Sequence, residues 1–403
     1  MTPSRKLHPA ANDLVEDDVV TDDTNADVDV AIVGGGPVGL FLGCLLARQA
    51  LRVVVLEKRT RSHQHSRAIG IHPPSLEAFD EIGLTDALVE RGVQIVQGLA
   101  FADGRPLGAL DFSSGPPPHR FVLSLPQCET ERLLTDKLRE TDAGALRCGA
   151  EVTELVSDDD SVTLTLQHHH QTSTIRARYV VGCDGKQSLV RRAAAIDFRG
   201  SRYPDTYLMG DVRDNTDYGT AAALDLGRDG LVESFPLPSG ERRWVVKTET
   251  FLTDATPDTL GELVYHRLGH TLPTDDTTML SAFGIERYLA SSFSKGRLIL
   301  AGDAAHVVSP IGGQGMNLGW LDARLLSETF RQIFAEQADA ASVLQHYNRQ
   351  RRRAARQAIL RAEFNTVMGR KTALPWLRRN FVRGLLATPA KKLLARIFTM
   401  RGL

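Results

Sequence analysis

Residues 28–57 read as strand, glycine turn, helix and strand, and no other stretch limits the possible folds so sharply. Val28 to Val33 (VDVAIV) is a short β-branched apolar run, as a strand covered on both faces requires. Gly34-x-Gly36-x-x-Gly39 punctuates it, LFLGCLLARQ then has helical length with little charge, and RVVVLE is a second buried strand ending at Glu57. Each glycine has its own task. Gly34 allows the tight turn, Gly36 lets backbone approach a pyrophosphate, and Gly39 lets the helix pack on the strand. Pro37 and Val38 complete the turn, and Gly43, one helical turn further on, permits close packing of the helix. The anion rests on the helix N-terminus, where free N–H groups and the helix dipole attract it. Glu57, about twenty residues on, stands where a carboxylate accepts from ribose hydroxyls. Lys58 follows it in the same set. The carboxylate favours an unphosphorylated adenosine ribose, as in FAD or NAD.

A later segment separates these two cofactors. RLILAGDAAHVVSPIGGQGMNLG places Gly302 and Asp303 just after a buried strand, where a carboxylate holds a polyol hydroxyl. Gly312, Gly313 and Gly315 thin the backbone so that it lies against a flat ring. Met316 and Asn317 open a helix whose amides face a ring carbonyl. A flavin has a ribityl polyol and a flat ring with carbonyls; nicotinamide does not need this arrangement. The fingerprint occurs once, so separate FAD and NAD domains are not expected.

Here the sequence resembles the class A flavoprotein monooxygenases, the family of para-hydroxybenzoate hydroxylase, the phenol hydroxylases and the ubiquinone-pathway hydroxylases. Three motifs carry the resemblance in order: GGGPVG, the Asp-Gly motif as VVGCDGKQSLVRR, and the Gly-Asp motif as LAGDAAHVVSPIGGQGMNLG. It spans residues 28–330. It implies that Glu57 holds the adenosine ribose and Asp303 the ribityl chain, and that Gly312 through Asn317 line the isoalloxazine. Asp184 and Gly185 are implied near the pyrophosphate, and Arg67 and Gln127 near the flavin. Pro310 is implied at the ring's reactive edge, where it and Gly313 serve catalysis by backbone positioning alone. The implied activity is an NADH- or NADPH-consuming hydroxylation of a phenolic or quinone-precursor ring. Molecular oxygen adds to the reduced flavin as a hydroperoxide that the ring attacks, and water must be excluded. No side-chain nucleophile is expected, and His306 reads as a structural residue of its motif.

The expected fold is α/β: a Rossmann-like FAD-binding domain of the glutathione-reductase type, with an inserted sheet-rich substrate domain and a helical C-terminal segment. The FAD domain is expected over 28–100, 127–200 and 290–335, the substrate domain over 101–126 and 201–289, and a basic helical segment over 336–403. Residues 1–27 carry Asp13, Asp17, Asp18, Asp22, Asp23 and Asp27 with few apolar anchors, and read as a disordered acidic tail. Phe112, Phe121, Leu208, Phe235 and Trp244 are candidates for the substrate pocket. His168-His169-His170 reads as a hairpin turn, and no metal site is expected.

Four scattered cysteines without a CxxC pair fit a reducing cytoplasm. No run approaches the roughly 20 apolar residues of a membrane span, and MTPSRKLHPA lacks the apolar core of a secretory signal. LPWLRRNFVRGLLATPAKKLLARIFTM alternates apolar and basic residues at helical spacing, with Pro389 dividing two helices. Such helices either dock on the enzyme body, the reading we favour, or make peripheral contact with an anionic membrane. No nucleic-acid partner is expected, and oligomeric state is left open. Isolated Trp244, Trp320 and Trp376 argue against a halogenase of related fold. The remaining alternatives are a flavin-dependent reductase or dehydrogenase acting on a prenyl or polyketide-like substrate, and a non-catalytic flavin-binding module. The thioredoxin-like C-terminal domain of the larger hydroxylases is not expected.

Overall fold

A computed structural model describes residues 28–60, 68–168 and 171–402. The acidic stretch 1–27, Arg67, His169 and His170 lie outside the described residues.

Two eight-stranded sheets organise the chain. In the first, the central strand Val28–Val33 pairs in parallel with Val53–Glu57 on one side and Gln171–Gly182 on the other. Leu146–Cys148 and Leu298–Leu300 extend it in parallel at either side. Helices cover both faces, so Val30, Ala31, Ile32 and Val55 lose all contact with solvent. Helix Pro37–Ala47 is buried along nearly its whole length, between this sheet and helices Gln127–Thr141 and Gln314–Phe334. A Cβ on Gly43 would come within 2.8 Å of Val55 Cγ2, so glycine sets the helix–sheet distance there. Phe41, Phe79 and Trp320 meet edge to face at 4.8 and 4.9 Å and tie three helices together. The strands Val162–His168 and Gln171–Gly182 pair antiparallel out to His168–Gln171.

The second sheet runs in the order His306–Val307, Met279–Ala290, Phe198–Arg213, Glu241–Thr248, Gly230–Pro236, Ala222–Gly227, Gln97–Ala102, Arg105–Asp111. It takes up the chain at Gln97 and Phe198, slightly ahead of residues 101 and 201, because these long strands run unbroken out of the connections that reach it. Its two faces differ. Leu208, Val232, Trp244 and Val246 pack beneath helix Pro257–Leu268. Met209, Glu233, Phe235 and Val245 face the first sheet's side across a cavity.

The helical pattern over residues 73–92 divides into Pro73–Asp80 and Thr85–Arg91, because Gly83 at φ +65° turns the chain between them. The C-terminal helices Ala340–Met368, Pro375–Ala387 and Ala390–Phe398 return over the second sheet. Leu386 is buried against Ala102 and Leu107, and Ala395 against Ile95, Phe112 and Ala222. No helix among the described residues is long and apolar enough to cross a membrane.

Candidate active site

One cavity of about 1360 Å³ runs from the glycine turn to the space under the C-terminal helices. Its first half is built by the fingerprint. Gly34 sits at φ +106°, and a Cβ there would lie 2.5 Å from the Cys183 carbonyl oxygen. A Cβ on Gly39 would lie 2.0 Å from the Gly34 carbonyl oxygen, so this glycine closes the helix onto the turn and does not line the cavity. A Cβ on Gly36 would meet nothing within 4 Å. Gly36, Pro37 and Val38 therefore present a helix N-terminus to open space, with no side-chain cap competing for its N–H groups.

Glu57 closes this end. Its Oε2 accepts from the Gly35 N–H at 2.8 Å, and its Oε1 accepts from the Arg59 N–H at 2.9 Å and Arg59 Nε at 2.8 Å. Burial works against the charge, but the bonds from Arg59 and Gly35 outweigh it and hold the carboxyl below its usual range. Lys58 stands exposed on the same rim. Asp184 and Gly185 also line the cavity; Asp184 Oδ2 accepts from the N–H groups of Leu189 (2.6 Å) and Val190 (3.2 Å), while its Oδ1 is buried with no hydrogen-bond partner among the described residues. Gln127 reaches the cavity with its amide donating to Glu131 Oε1 at 2.7 Å.

Further along, Gly302 at φ +61° turns the chain so that Asp303 opens onto the cavity. Enclosure by the cavity walls raises the Asp303 carboxyl above its usual range. Behind it, buried Asp322 accepts from Gly302 N–H at 3.0 Å and Arg351 Nε at 2.6 Å, and its Oδ2 lies 2.6 Å from His306 Nε2. His306 is wholly buried in this network and away from the cavity, the structural place expected of it.

Pro310, Gly312, Gly313, Gly315 and Met316 line the middle of the cavity. Gly312 and Gly313 are left-handed at φ +93° and +65°, and Gly313 opens helix Gln314–Phe334 without a side-chain cap. Asn317 departs from expectation. It does not line the cavity; it is fully buried, accepts from His72 N–H at 2.8 Å and donates to the carbonyls of Gly70 and Gly313 at 2.8 Å each. One position further into the helix, its side chain turns inward and braces the glycine loop from behind.

Sequence reasoning missed three residues on this cavity. Arg59 steadies Glu57. His72 lies 3.2 Å from the Gly312 carbonyl oxygen through Nε2, and burial pushes its imidazole down to about 4. Glu233 stands in the second sheet, and its signal was present: a lone acid inside the apolar strand GLVESFP. Of the pocket candidates, Phe112 and Phe235 line the cavity. Leu208 and Trp244 lie on the sheet's opposite face, and Phe121 packs on the first core. Strand alternation brings their neighbours Met209 and Val245 to the cavity instead.

These groups fit FAD: an open helix N-terminus for the pyrophosphate, a carboxylate at each sugar position, and a side-chain-free loop before a second uncapped helix. Comparison with known proteins agrees. The family model described as "FAD binding domain" matches residues 27–362. Rifampicin monooxygenase of Streptomyces venezuelae is 37% identical over 306 residues, 73% of this chain and 62% of that protein. The chain thus spans less than two thirds of that relative's length. The crystal structure of p-nitrophenol 4-monooxygenase from Pseudomonas putida superposes with a TM-score of 0.85 at 25% identity, over 93% of this chain and 99% of that one. Anhydrotetracycline hydroxylase from Streptomyces rimosus superposes with a TM-score of 0.78 at 29% identity, over 94% of this chain and 77% of that one. The chain belongs to the FAD-binding family of para-hydroxybenzoate hydroxylase-like aromatic monooxygenases.

Proposed function

We propose that this member of the FAD-dependent aromatic monooxygenases inserts one oxygen atom of O2 into a phenol-like ring, consuming NADH or NADPH. The observation that carries the reading is continuity. The same cavity that offers Gly36, Glu57 and Asp303 at one end becomes, beyond Pro310 and Gly313, an apolar chamber walled by Met209, Leu224, Phe235 and Val245.

Bound FAD supplies the electron transfer and oxygen activation, and the chain's own residues do the rest. The helix N-terminus at Gly36–Val38 would bind the pyrophosphate, Glu57 steadied by Arg59 the adenosine ribose, and Asp303 the ribityl hydroxyls. The backbone from Gly312 to Met316 would lie along the flat ring. There the N–H groups and positive dipole end of helix Gln314–Phe334 favour negative charge developing against them. Phe381, Leu385, Leu394 and Phe398 of the C-terminal helices line one side of the chamber with apolar surface, which would help to keep water from the ring. Burial of Leu386 and Ala395 supports this docked role over a membrane-lying one. Flotation of the full-length protein with anionic vesicles would count against it.

The test is a screen of phenols and quinone precursors for stimulated NAD(P)H oxidation with oxygen uptake and product mass. A product heavier by one oxygen atom supports the reading. Stimulated turnover that persists without oxygen, or that adds none, overturns it in favour of a reductase or dehydrogenase.

A further inference from the structure

The wall of the chamber formed by the second sheet carries few charges, and nearly all are neutralised. Arg243 is held by Asp211 through Nε and Nη2, each at 2.7 Å. Glu286 pairs with Lys186 and with Arg202, the latter at 2.8 Å. Glu233 differs. It is 5% exposed and lines the cavity, and it has no hydrogen-bond or ion-pair partner among the described residues. Its neighbours along and across the strands, Leu231, Phe235, Leu224 and Val245, are apolar and line the same cavity. The nearby Tyr207 hydroxyl is buried and also unpartnered.

An isolated buried carboxyl costs free energy unless something pairs with it. Nothing among the described residues does so, and the side chain lines the space where the substrate belongs. We propose that Glu233 is the polar anchor of the substrate chamber, accepting the O–H of a neutral, flat, largely apolar phenol and rejecting rings that carry a carboxylate in its place. The inference rests on the aromatic reading above and adds the substrate's charge class. Two physical effects set that preference. A phenol O–H satisfies the carboxylate, which burial alone has raised to about 7. A second carboxylate beside it would meet like charge in a medium that screens poorly, and Arg243 is already engaged.

The experiment uses FAD-loaded full-length protein without NAD(P)H, so that binding is read apart from turnover. 2-Naphthol and 2-naphthoate, which differ only in the polar group at one ring position, are titrated while perturbation of the flavin absorption band is followed. The expected result is that 2-naphthol binds at least about tenfold more tightly than 2-naphthoate, the scale that like-charge repulsion sets. In Glu233→Gln that ratio falls at least about tenfold while FAD affinity stays unchanged, because the like-charge term is gone. Glu233→Leu, which needs no buried polar group at all, serves as the second variant and should lose the same preference. A preference for 2-naphthol that survives in both variants overturns the inference and leaves the aromatic reading standing. Failure of the wild type to bind either probe overturns the inference, while the aromatic reading stands or falls on the turnover screen above.

Discussion

The backbone N–H of His72 donates to Asn317 Oδ1 at 2.8 Å, joining residues 245 positions apart in the chain. The same amide's Nδ2 donates to the Gly70 and Gly313 carbonyls, so one buried side chain locks the left-handed loop Gly312–Gly313 against the short strand Gly70–Ile71. Asn317→Ala strands one buried and two partly buried backbone groups at once. We expect it to cost about 3 kcal/mol of stability, since each orphaned group carries a penalty of that order or less. FAD affinity should fall with it. Thermal melting and flavin titration check both.

Two glycines three residues apart should behave oppositely. Gly36 has an ordinary φ of −77° and open space where a Cβ would stand. Gly36→Ala is expected to leave the apoprotein's melting temperature unchanged and to weaken FAD binding at least about tenfold, because the methyl group occupies the anion's place. Gly39→Ala forces a Cβ to 2.0 Å from the Gly34 carbonyl oxygen. It should destabilise the apoprotein by about 3 kcal/mol, the upper range for overpacking. Equal melting temperatures for the two variants would contradict this division of labour.

Asp322 holds the loop that presents Asp303. Burial raises its carboxyl, but the charges and hydrogen bonds of His306 and Arg351 outweigh this and hold it below the usual 3.8. Its stabilising contribution is therefore complete above pH 3.8 and lost as pH falls through the lower folded value. Asp322→Leu leaves Arg351 buried and unpaired and should cost about 3–5 kcal/mol. Adding Arg351→Leu should recover part of that loss. A double variant no more stable than the single one would show that the pair does not act as a unit.

Glu233 and His72 should tilt the pH dependence in opposite directions. Glu233 is pushed up from 4.5 to about 7. Between those values the folded state holds the proton and the unfolded state does not, so stability falls as pH rises and levels off above the window. Glu233→Gln removes that slope: relative to wild type it should match at pH 4 and gain up to about 3 kcal/mol by pH 8, at 1.36 kcal/mol per unit. His72 is pushed down from 6.5 to about 4. The unfolded state then binds the extra proton first, and stability is lost as pH falls from 6.5 towards 4. Denaturant titrations of apoprotein across pH 4 to 8 measure both, and a Glu233→Gln difference that does not grow with pH rules out the burial argument.

Some of the site was readable without coordinates because its chemistry is local. The turn at Gly34, the close approach at Gly39 and the left-handed loop at Gly312–Gly313 each depend on backbone conformation that few residue types adopt, so the residues announce the geometry. Glu57 could be placed because it closes a recognisable buried strand, and Asp303 because it sits in the turn just after one. Other positions were misread for one recurring reason. Leu208 and Met209 are both apolar, and which of them meets the cavity depends on the sheet's register rather than on either residue.

The sequence alone therefore determined the dinucleotide unit and the choice of a flavin, since short-range spacing and glycine stereochemistry carry that information. Tertiary structure decided the rest: that Asn317 braces rather than lines, that Arg59 steadies Glu57, that the C-terminal helices line one side of the chamber, and that Glu233 stands unpartnered inside it. Those outcomes depend on which distant strands and helices pack together and which face each turns inward. Such non-local pairings are decided by burial summed over the whole chain, and no short segment records them.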